Sequence, residues 1–455
     1  MTDAALQIES DPQPADDAAL GPVVGRPAPA NLRWRRRVFL ILTLATMAGL
    51  IGVLAGLMGH GGITLIEGAM LAAFAVTLPW IVVGFWNGII GFILTWRYDD
   101  PGSLVTPALA HERPDAPIQS RVAIVMAIRN EDATQSVQRL ERIQLGLNRT
   151  EWADHFDFHV LSDSDDPKIV AQEDAVVAAW KSRSPDASIH YRCRTENSGF
   201  KAGNIMEFLD RCGEEYDFYL PLDADSMMAP SAILRLVRIM EASPEIGILQ
   251  GLIVGAPSNT FFTRALQFGN RHNMRSYTLG SAWWQADCGP YWGHNALIRT
   301  LPFRRHCRLP YLDGHGPLSG HVLSHDQLEA AMIRKAGYEV RVLPLEDQSF
   351  EANPPSLPDF IKRELRWCNG NFQYLRLLNT TGFLPMSRVQ LILAILGYAG
   401  ALAWFVFLTL MSGLAGGTDQ ISGIPLAAGL TFFALMITIS LTPKLMGLAQ
   451  VLVDS

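Results

Sequence analysis

Four stretches of the chain run without a charged side chain: residues 38–58, 68–96, 389–410 and 425–441. Only Pro79 punctuates the second. A helix needs about 20 apolar residues to cross roughly 30 Å of hydrocarbon, so each stretch predicts a membrane span. The first is too long, and too far from the amino terminus, for a cleaved signal peptide. Between the two pairs the pattern changes. Short apolar, β-branched runs at 121–128 (RVAIVMAI), 156–162 (FDFHVLS), 189–193, 216–222 and 246–254 alternate with helical periodicity at 134–147, 169–183 and 202–211. That alternation predicts a mainly parallel sheet with helices on both faces. Ahead of the first span, Asp3, Glu9, Asp11, Asp16 and Asp17 lie among prolines and read as a disordered acidic tail. The predicted order is a tail over 1–32, two transmembrane helices within 33–100, and an α/β domain over 116–381. Two more transmembrane helices follow within 385–445, then an interfacial or truncated segment at 446–455.

Charge gives the orientation. Arg33, Arg35, Arg36 and Arg37 precede the first span, Arg97 follows the second, Arg376 and Arg388 precede the third, and Lys444 follows the fourth. The connections at 59–67 and 416–423 hold no Lys or Arg. Positive charge stays inside, so the amino terminus and the central domain are expected in the cytoplasm. Charged residues are 18% of the chain, against about 25% in soluble proteins, a deficit that the spans explain. A net charge of −7 excludes a strongly basic nucleic-acid binder, so no nucleic-acid partner is expected. Five cysteines, an odd number without a CxxC, argue against a disulfide framework or structural zinc. All five lie in the central segment, which suits a reducing compartment.

In an open α/β sheet, ligands bind beyond the carboxyl ends of the strands. Three expected strand ends carry polar sets: Arg129-Asn130-Glu131, Asp163-Ser164-Asp165-Asp166 and Asp223-Ala224-Asp225-Ser226. Residues i and i+2 of a strand face one side, and hard divalent cations take carboxylates together with substrate phosphates. Helix capping is the alternative use of such residues; two acidic clusters on one domain favour the cation site. Gly199-Phe200-Lys201-Ala202-Gly203-Asn204 opens a helix and offers close backbone approach with a cation, without P-loop spacing. Ser324-His325-Asp326-Gln327 precedes a helical pattern, so Asp326 is either a cap or a general base. His321 and His325 lie four apart but lack the HExxH context of a helical metal pair. Arg363 and Arg366 share a helical face beside Trp367, as a diphosphate clamp, a basic helix against the membrane, or both. Trp283, Trp284, Tyr291 and Trp292 read equally as sugar-stacking, core or interfacial aromatics.

These motifs occur in a telling order: LSDS at 161–164, KAGN at 201–204, LDADS at 222–226, WGHN at 292–295, SHD at 324–326 and RxxRW at 363–367. In that order they resemble the membrane-embedded processive family 2 glycosyltransferases, which include cellulose synthase and hyaluronan synthase. More narrowly, they resemble the glucosyltransferases of osmoregulated periplasmic glucans, over residues 34–444. The resemblance implies a GT-A fold: a Rossmann-like cytoplasmic α/β domain inserted between pairs of transmembrane helices, in a multi-pass protein of the bacterial inner membrane. It implies that Asp163 contacts uracil, that Asp223 and Asp225 serve metal and diphosphate, and that Asp225 is the more direct ligand of Mg²⁺ or Mn²⁺. Lys201, Arg363 and Arg366 match donor-binding positions, and Asp326 matches the general base. Trp292, Gly293, His294, Asn295 and Trp367 match the acceptor region. UDP-glucose, a growing glucan chain, membrane lipid and an association with acyl carrier protein are the implied partners. A single inverting displacement, a β-1,2 linkage and export of the chain are the implied chemistry. The pattern departs from cellulose synthase: Arg363 stands where glutamine is expected, Ser324-His325-Asp326 replaces T-E-D, and the first carboxylate pair is spread over 163–166. The periplasmic-glucan subgroup shares these departures. Two rivals use the same features differently: a transferase to polyprenyl phosphate, and a catalytically silent nucleotide-binding membrane regulator.

Overall fold

The apolar run Val122–Ile128 is buried on both faces, as a strand must be when helices cover both sides of a parallel sheet. In the computed structural model, which describes residues 30–58, 62–416 and 426–454, it lies within a seven-stranded sheet. The order across the sheet is Glu339–Val342, Ile246–Gln250, Ala296–Arg299, Phe218–Asp223, Val122–Ile128, Phe156–Ser162 and Ile189–Cys193. All neighbours pair in parallel except Ala296–Arg299, which runs antiparallel to the strands on either side. The five strands expected from the sequence are present, but the run at 246–254 stops at Gln250 and resumes as Val254–Gly255. Ala296–Arg299 and Glu339–Val342 were not anticipated, because four residues are too few to set a period. Register carries the site: Ile128 pairs with Ser162 and Ala127 with Asp223, so three polar strand ends finish along one edge.

Helices Ala133–Leu147, Pro167–Arg183, Phe200–Cys212 and Pro230–Ala242 flank this sheet. Val137, Leu140, Val177, Trp180, Ile233 and Val237 form the core with Ile124, Met126, Phe158 and Leu220. Capping explains part of the acidic pattern. Asp132 accepts from the Gln135 N–H, and Asp166 accepts from the Lys168 N–H ahead of Pro167. A small sheet joins Met227–Met228, Ser349–Glu351 and Val254–Gly255. Helix Leu357–Gln373 follows it. Among the described residues the five cysteines form no disulfide.

The chain divides into two units: Gly102–Gly269 with Ala286–Ser387, and the membrane helices with Asn270–Gln285. Ala30–Met58, Leu65–Arg97, Pro385–Gly416 and Leu426–Asp454 are the helices of the second unit that are long and apolar enough to cross a membrane. A capping box of Thr64 and Glu67 starts the second of them. Residues 1–29 of the expected tail, 59–61 and 417–423 of the expected outer connections, and 424–425, where the expected fourth span begins, lie outside the described residues. The last three tail positions, 30–32, already belong to the first helix. At the other end, the last helix continues through 446–454, the stretch read as interfacial or truncated, because its apolar pattern does not break.

Asn270–Gln285 departs from the expected plan, which placed all of 116–381 in one α/β domain. It packs among the membrane helices through glycines. A Cβ on Gly280 would overlap the Asn87 carbonyl, one on Gly91 the Ser276 carbonyl, and one on Gly447 the His272 carbonyl. The Trp284 indole donates to Asn87 Oδ1 at 2.9 Å. Its arginines and histidine hid this segment from a search for uncharged runs.

Candidate active site

The strand Phe218–Asp223 ends in a tight turn: the Asp223 N–H donates to Ser226 Oγ, and the Ser226 N–H returns to the Asp223 carbonyl. Arg139 braces this turn by donating to the Ala224 carbonyl at 2.8 Å. Lys201, in the first turn of its helix, pairs with Asp223 Oδ1 and donates to the Gly293 carbonyl at 2.9 Å. His294 Nε2 lies 3.9 Å from Asp223 Oδ2. Burial alone would raise the Asp223 pKa, but Lys201 and His294 outweigh it and hold this carboxyl well below the usual range. Asp225 moves the other way, pushed up by burial and then by the charge on Asp223. One carboxylate therefore has its cation within the protein, and its neighbour is poised to gain from another.

Asp326 opens helix Asp326–Lys335. Gly293 brings it to the same place. Its φ of +84° suits glycine, and a Cβ there would stand 3.6 Å from Asp326 Cβ and 3.4 Å from His325 Cε1. One glycine thus touches the Asp326 turn while its carbonyl holds Lys201. Burial pushes the Asp326 carboxyl up, opposed by His325. His325 is itself tied to Glu329 at 2.7 Å.

Helix Leu357–Gln373 docks on this turn. Tyr374, just after it, donates to the Ser324 carbonyl at 2.8 Å, and the Leu323 N–H donates to Gln373 Oε1 at 2.9 Å. Arg363 lies over the Trp367 ring at 4.4 Å and the Phe360 ring at 5.5 Å. Arg366 acts electrostatically on Glu131, and Arg363 on Glu351. Burial, then Asp223, pushes Glu131 up. Glu351 is raised by burial and by Asp225 and Asp223, with His294 and Arg363 opposing.

The structure therefore brings Lys201, Asp223, Asp225, Gly293, His294 and Asp326 together, while Arg363 and Arg366 act on Glu351 and Glu131. Other expected site residues are engaged elsewhere. Asp163 is buried and gripped by Arg194, whose guanidinium also donates to the Phe200 and Ser198 carbonyls. Trp292 is half-buried, its N–H on Gln250 Oε1 at 2.9 Å. Asn295 is fully buried and donates to Ser349 Oγ at 2.9 Å. The contacts of His294 and Asn295 run to the Asp223 turn and the small sheet. His321 packs edge-on to Tyr311 and Phe200, apart from the His325–Glu329 pair. The aromatic set also divides: Trp284 stacks on Phe39 at 4.2 Å within the membrane unit, while Tyr291 is buried in the α/β unit.

Glu351, Arg194 and Arg139 were missed by sequence reasoning. Glu131 was noticed at its strand end but given no role. Arg194 directly follows an expected strand, which was the available signal. Nothing local marks Glu351. Among the described residues no group of three or more His, Cys, Asp or Glu side chains forms a ready-made metal cage. Two hard carboxylates, one lacking full charge compensation, do suit a cation whose remaining ligands come from a substrate diphosphate.

Comparison with known proteins shows the family and the fold. The family model "Glycosyl transferase family 2" matches residues 124–307, and "Glycosyl transferase family group 2" matches 220–443. Glucans biosynthesis glucosyltransferase H of Xanthomonas euvesicatoria pv. vesicatoria is 34% identical over 444 residues, covering 94% of this chain and 68% of the relative. The chain belongs to this family. The glucosyltransferase H proteins of Ralstonia nicotianae and Bradyrhizobium diazoefficiens are each 37% identical, over 84% and 82% of this chain. The chain spans 44% and 50% of those two relatives, about half their length. A mannosyltransferase from Pyrobaculum calidifontis in complex with GDP-Man and Mn²⁺ matches with a TM-score of 0.50 at 16% identity. It covers 86% of this chain and 100% of its own. At that identity the likeness is one of fold, the GT-A fold.

Proposed function

We propose that this chain is an inner-membrane glucosyltransferase that adds glucose from UDP-glucose to a growing β-linked glucan. What supports this reading is the meeting at Gly293: the His325–Asp326 turn lies beside the residue whose carbonyl accepts from Lys201, which in turn pairs with Asp223. A base for the acceptor and charges for a diphosphate would thereby be held side by side. Asp225 with Asp223 would hold Mg²⁺ or Mn²⁺, which when bound supplies Lewis-acid neutralisation of the leaving diphosphate.

The acceptor hydroxyl oxygen attacks the anomeric carbon, and the bond from that carbon to the UDP oxygen breaks with its electron pair leaving on UDP. Asp326 takes the hydroxyl proton. Arg363, Arg366 and Lys201 face the negative charge that grows on the diphosphate. One displacement inverts an α-linked donor to a β-linked product. The β-1,2 linkage, the periplasmic-glucan product, export across the spans and the acyl carrier protein association follow the family resemblance. The cytoplasmic placement of the domain follows the arginine distribution.

The test is UDP release from UDP-glucose by the full chain in lipid, with Mg²⁺ or Mn²⁺ or with chelator, and the sugar product sized. Release is expected to need the metal and to yield a glucose polymer. Asp326→Asn is expected to lower it by about 10²–10⁴-fold. A single glucose on lipid would favour the polyprenyl-phosphate transferase. No metal-dependent release from the wild type would sink the synthase reading and leave the silent regulator.

A further inference from the structure

The strand Ser349–Glu351 carries no recognised motif, yet it contacts the 292–295 segment and pairs with the strand that follows the 222–226 turn. On one side it pairs with Met227–Met228, two residues beyond Asp225; on the other it pairs with Val254–Gly255. Its ends are fixed as well: the Ala256 N–H donates to the Glu351 carbonyl at 2.7 Å, and Asn295 Nδ2 donates to Ser349 Oγ at 2.9 Å. The Glu351 backbone is thus held between the Asp223–Asp225 turn and the 292–295 segment. Six residues on, its chain enters the helix that bears Arg363 and Arg366.

From that position the Glu351 side chain meets His294. Imidazole Nε2 lies 3.7 Å from Glu351 Oε2 and 3.9 Å from Asp223 Oδ2, between the two carboxylates. The other ring nitrogen faces Ser226 Oγ at 3.3 Å and Asn295 Oδ1 at 3.2 Å. The ring is buried. His294 therefore spans the turn from Ser226 to Asp223, and Glu351 closes its open side. Arg363 contributes an attractive charge to Glu351 from the clamp helix.

We propose that Glu351 is a positioning residue of the donor site, holding His294 against Asp223. This inference rests on the donor-site reading above. Without the Glu351 charge, His294 loses one of its two anionic neighbours. The turn then presents Asp225 less favourably to a metal–diphosphate.

The experiment is calorimetric binding of UDP with Mn²⁺ to the full chain in lipid nanodiscs, for wild type, Glu351→Gln, Glu351→Asp, His294→Gln and the Glu351→Gln/His294→Gln pair. Glu351→Gln is expected to weaken UDP·Mn²⁺ binding about tenfold, a typical coupling between contacting residues. Glu351→Asp, which keeps the charge, is expected to recover part of the loss. The double variant is expected to bind no worse than the weaker single, because both act through one contact. Wild-type binding with Glu351→Gln equally tight, or losses that simply add, would overturn the proposal. Failure of the wild type itself to bind UDP with Mn²⁺ would instead overturn the donor-site reading, and this proposal with it. Thermal unfolding of each variant identifies a loss that is only misfolding, and in that case the inference stands or falls on Glu351→Asp and His294→Gln.

Discussion

Asp223 and Asp326 are carboxylates of the same candidate site, and their surroundings drive them in opposite directions. Lys201 and His294 outweigh burial at Asp223, while burial outweighs His325 at Asp326. On the proposed reading Asp326 is the base; a base works only when deprotonated, and burial makes Asp326 hold its proton more tightly than an ordinary carboxyl. Activity is therefore expected to be full above its raised pKa and to fall as pH drops through it. The acid limb of kcat/KM should lie above the ordinary carboxylate range, and Asp326→Asn should remove that limb from its residual activity. A pH–rate profile of UDP release checks this, and a limb at or below the ordinary range would remove Asp326 as the base. Asp223, Asp225 and Asp326 were legible in the sequence because each sits where a strand or turn stops. Glu351 was not, since its importance arises from a His294 contact across 57 positions of chain.

Helix Leu357–Gln373 shows how an element joins residues that sequence spacing only pairs. Ser356 caps it by accepting from the Asp359 N–H, with proline in its first turn. Its middle carries Arg363 and Arg366, and its far end rests on the Asp326 turn. Gly370 is the contact point: a Cβ there would fall 2.5 Å from the Ser324 nitrogen and 2.5 Å from its Oγ. Gly370→Ala is expected to push helix and turn apart, lowering UDP release more than it lowers stability, which should fall by about 1–3 kcal/mol. Unchanged turnover in that variant would mean that the docking does not set the base. The long strands were legible as element types because both faces are buried and the apolar run is continuous. The short strands were invisible because tertiary pairing, and not local pattern, makes them.

At the scale of the molecule, each unit is held by its own kind of contact. The α/β unit has a continuous apolar core between one face of the sheet and helices Ala133–Leu147, Pro167–Arg183 and Pro230–Ala242. In the membrane unit, Leu78, Val82, Phe74, Phe407 and Ile439 pack together, and glycines admit close backbone approach between helices. Small residues serve this purpose where lipid is as apolar as the protein. Gly280→Ala should place a methyl on the Asn87 carbonyl. It is expected to lower the unfolding temperature in detergent; an unchanged temperature would show that the backbone approach is dispensable.

By itself the sequence determined the two kinds of solvent each segment must meet, the strand–helix alternation, and the acidic strand ends. Those features are local: uninterrupted apolar length, period, and the placement of charge. The tertiary structure decided which charges meet. Lys201 engages Asp223 because Phe200–Cys212 begins beside that strand end, and Gly293 admits Asp326 because a loop 33 residues earlier adopts a left-handed turn. It also moved Asn270–Gln285 out of the α/β unit. Such pairings depend on sheet order and backbone clearance, and neither is written in the hydrophobic pattern of any one segment.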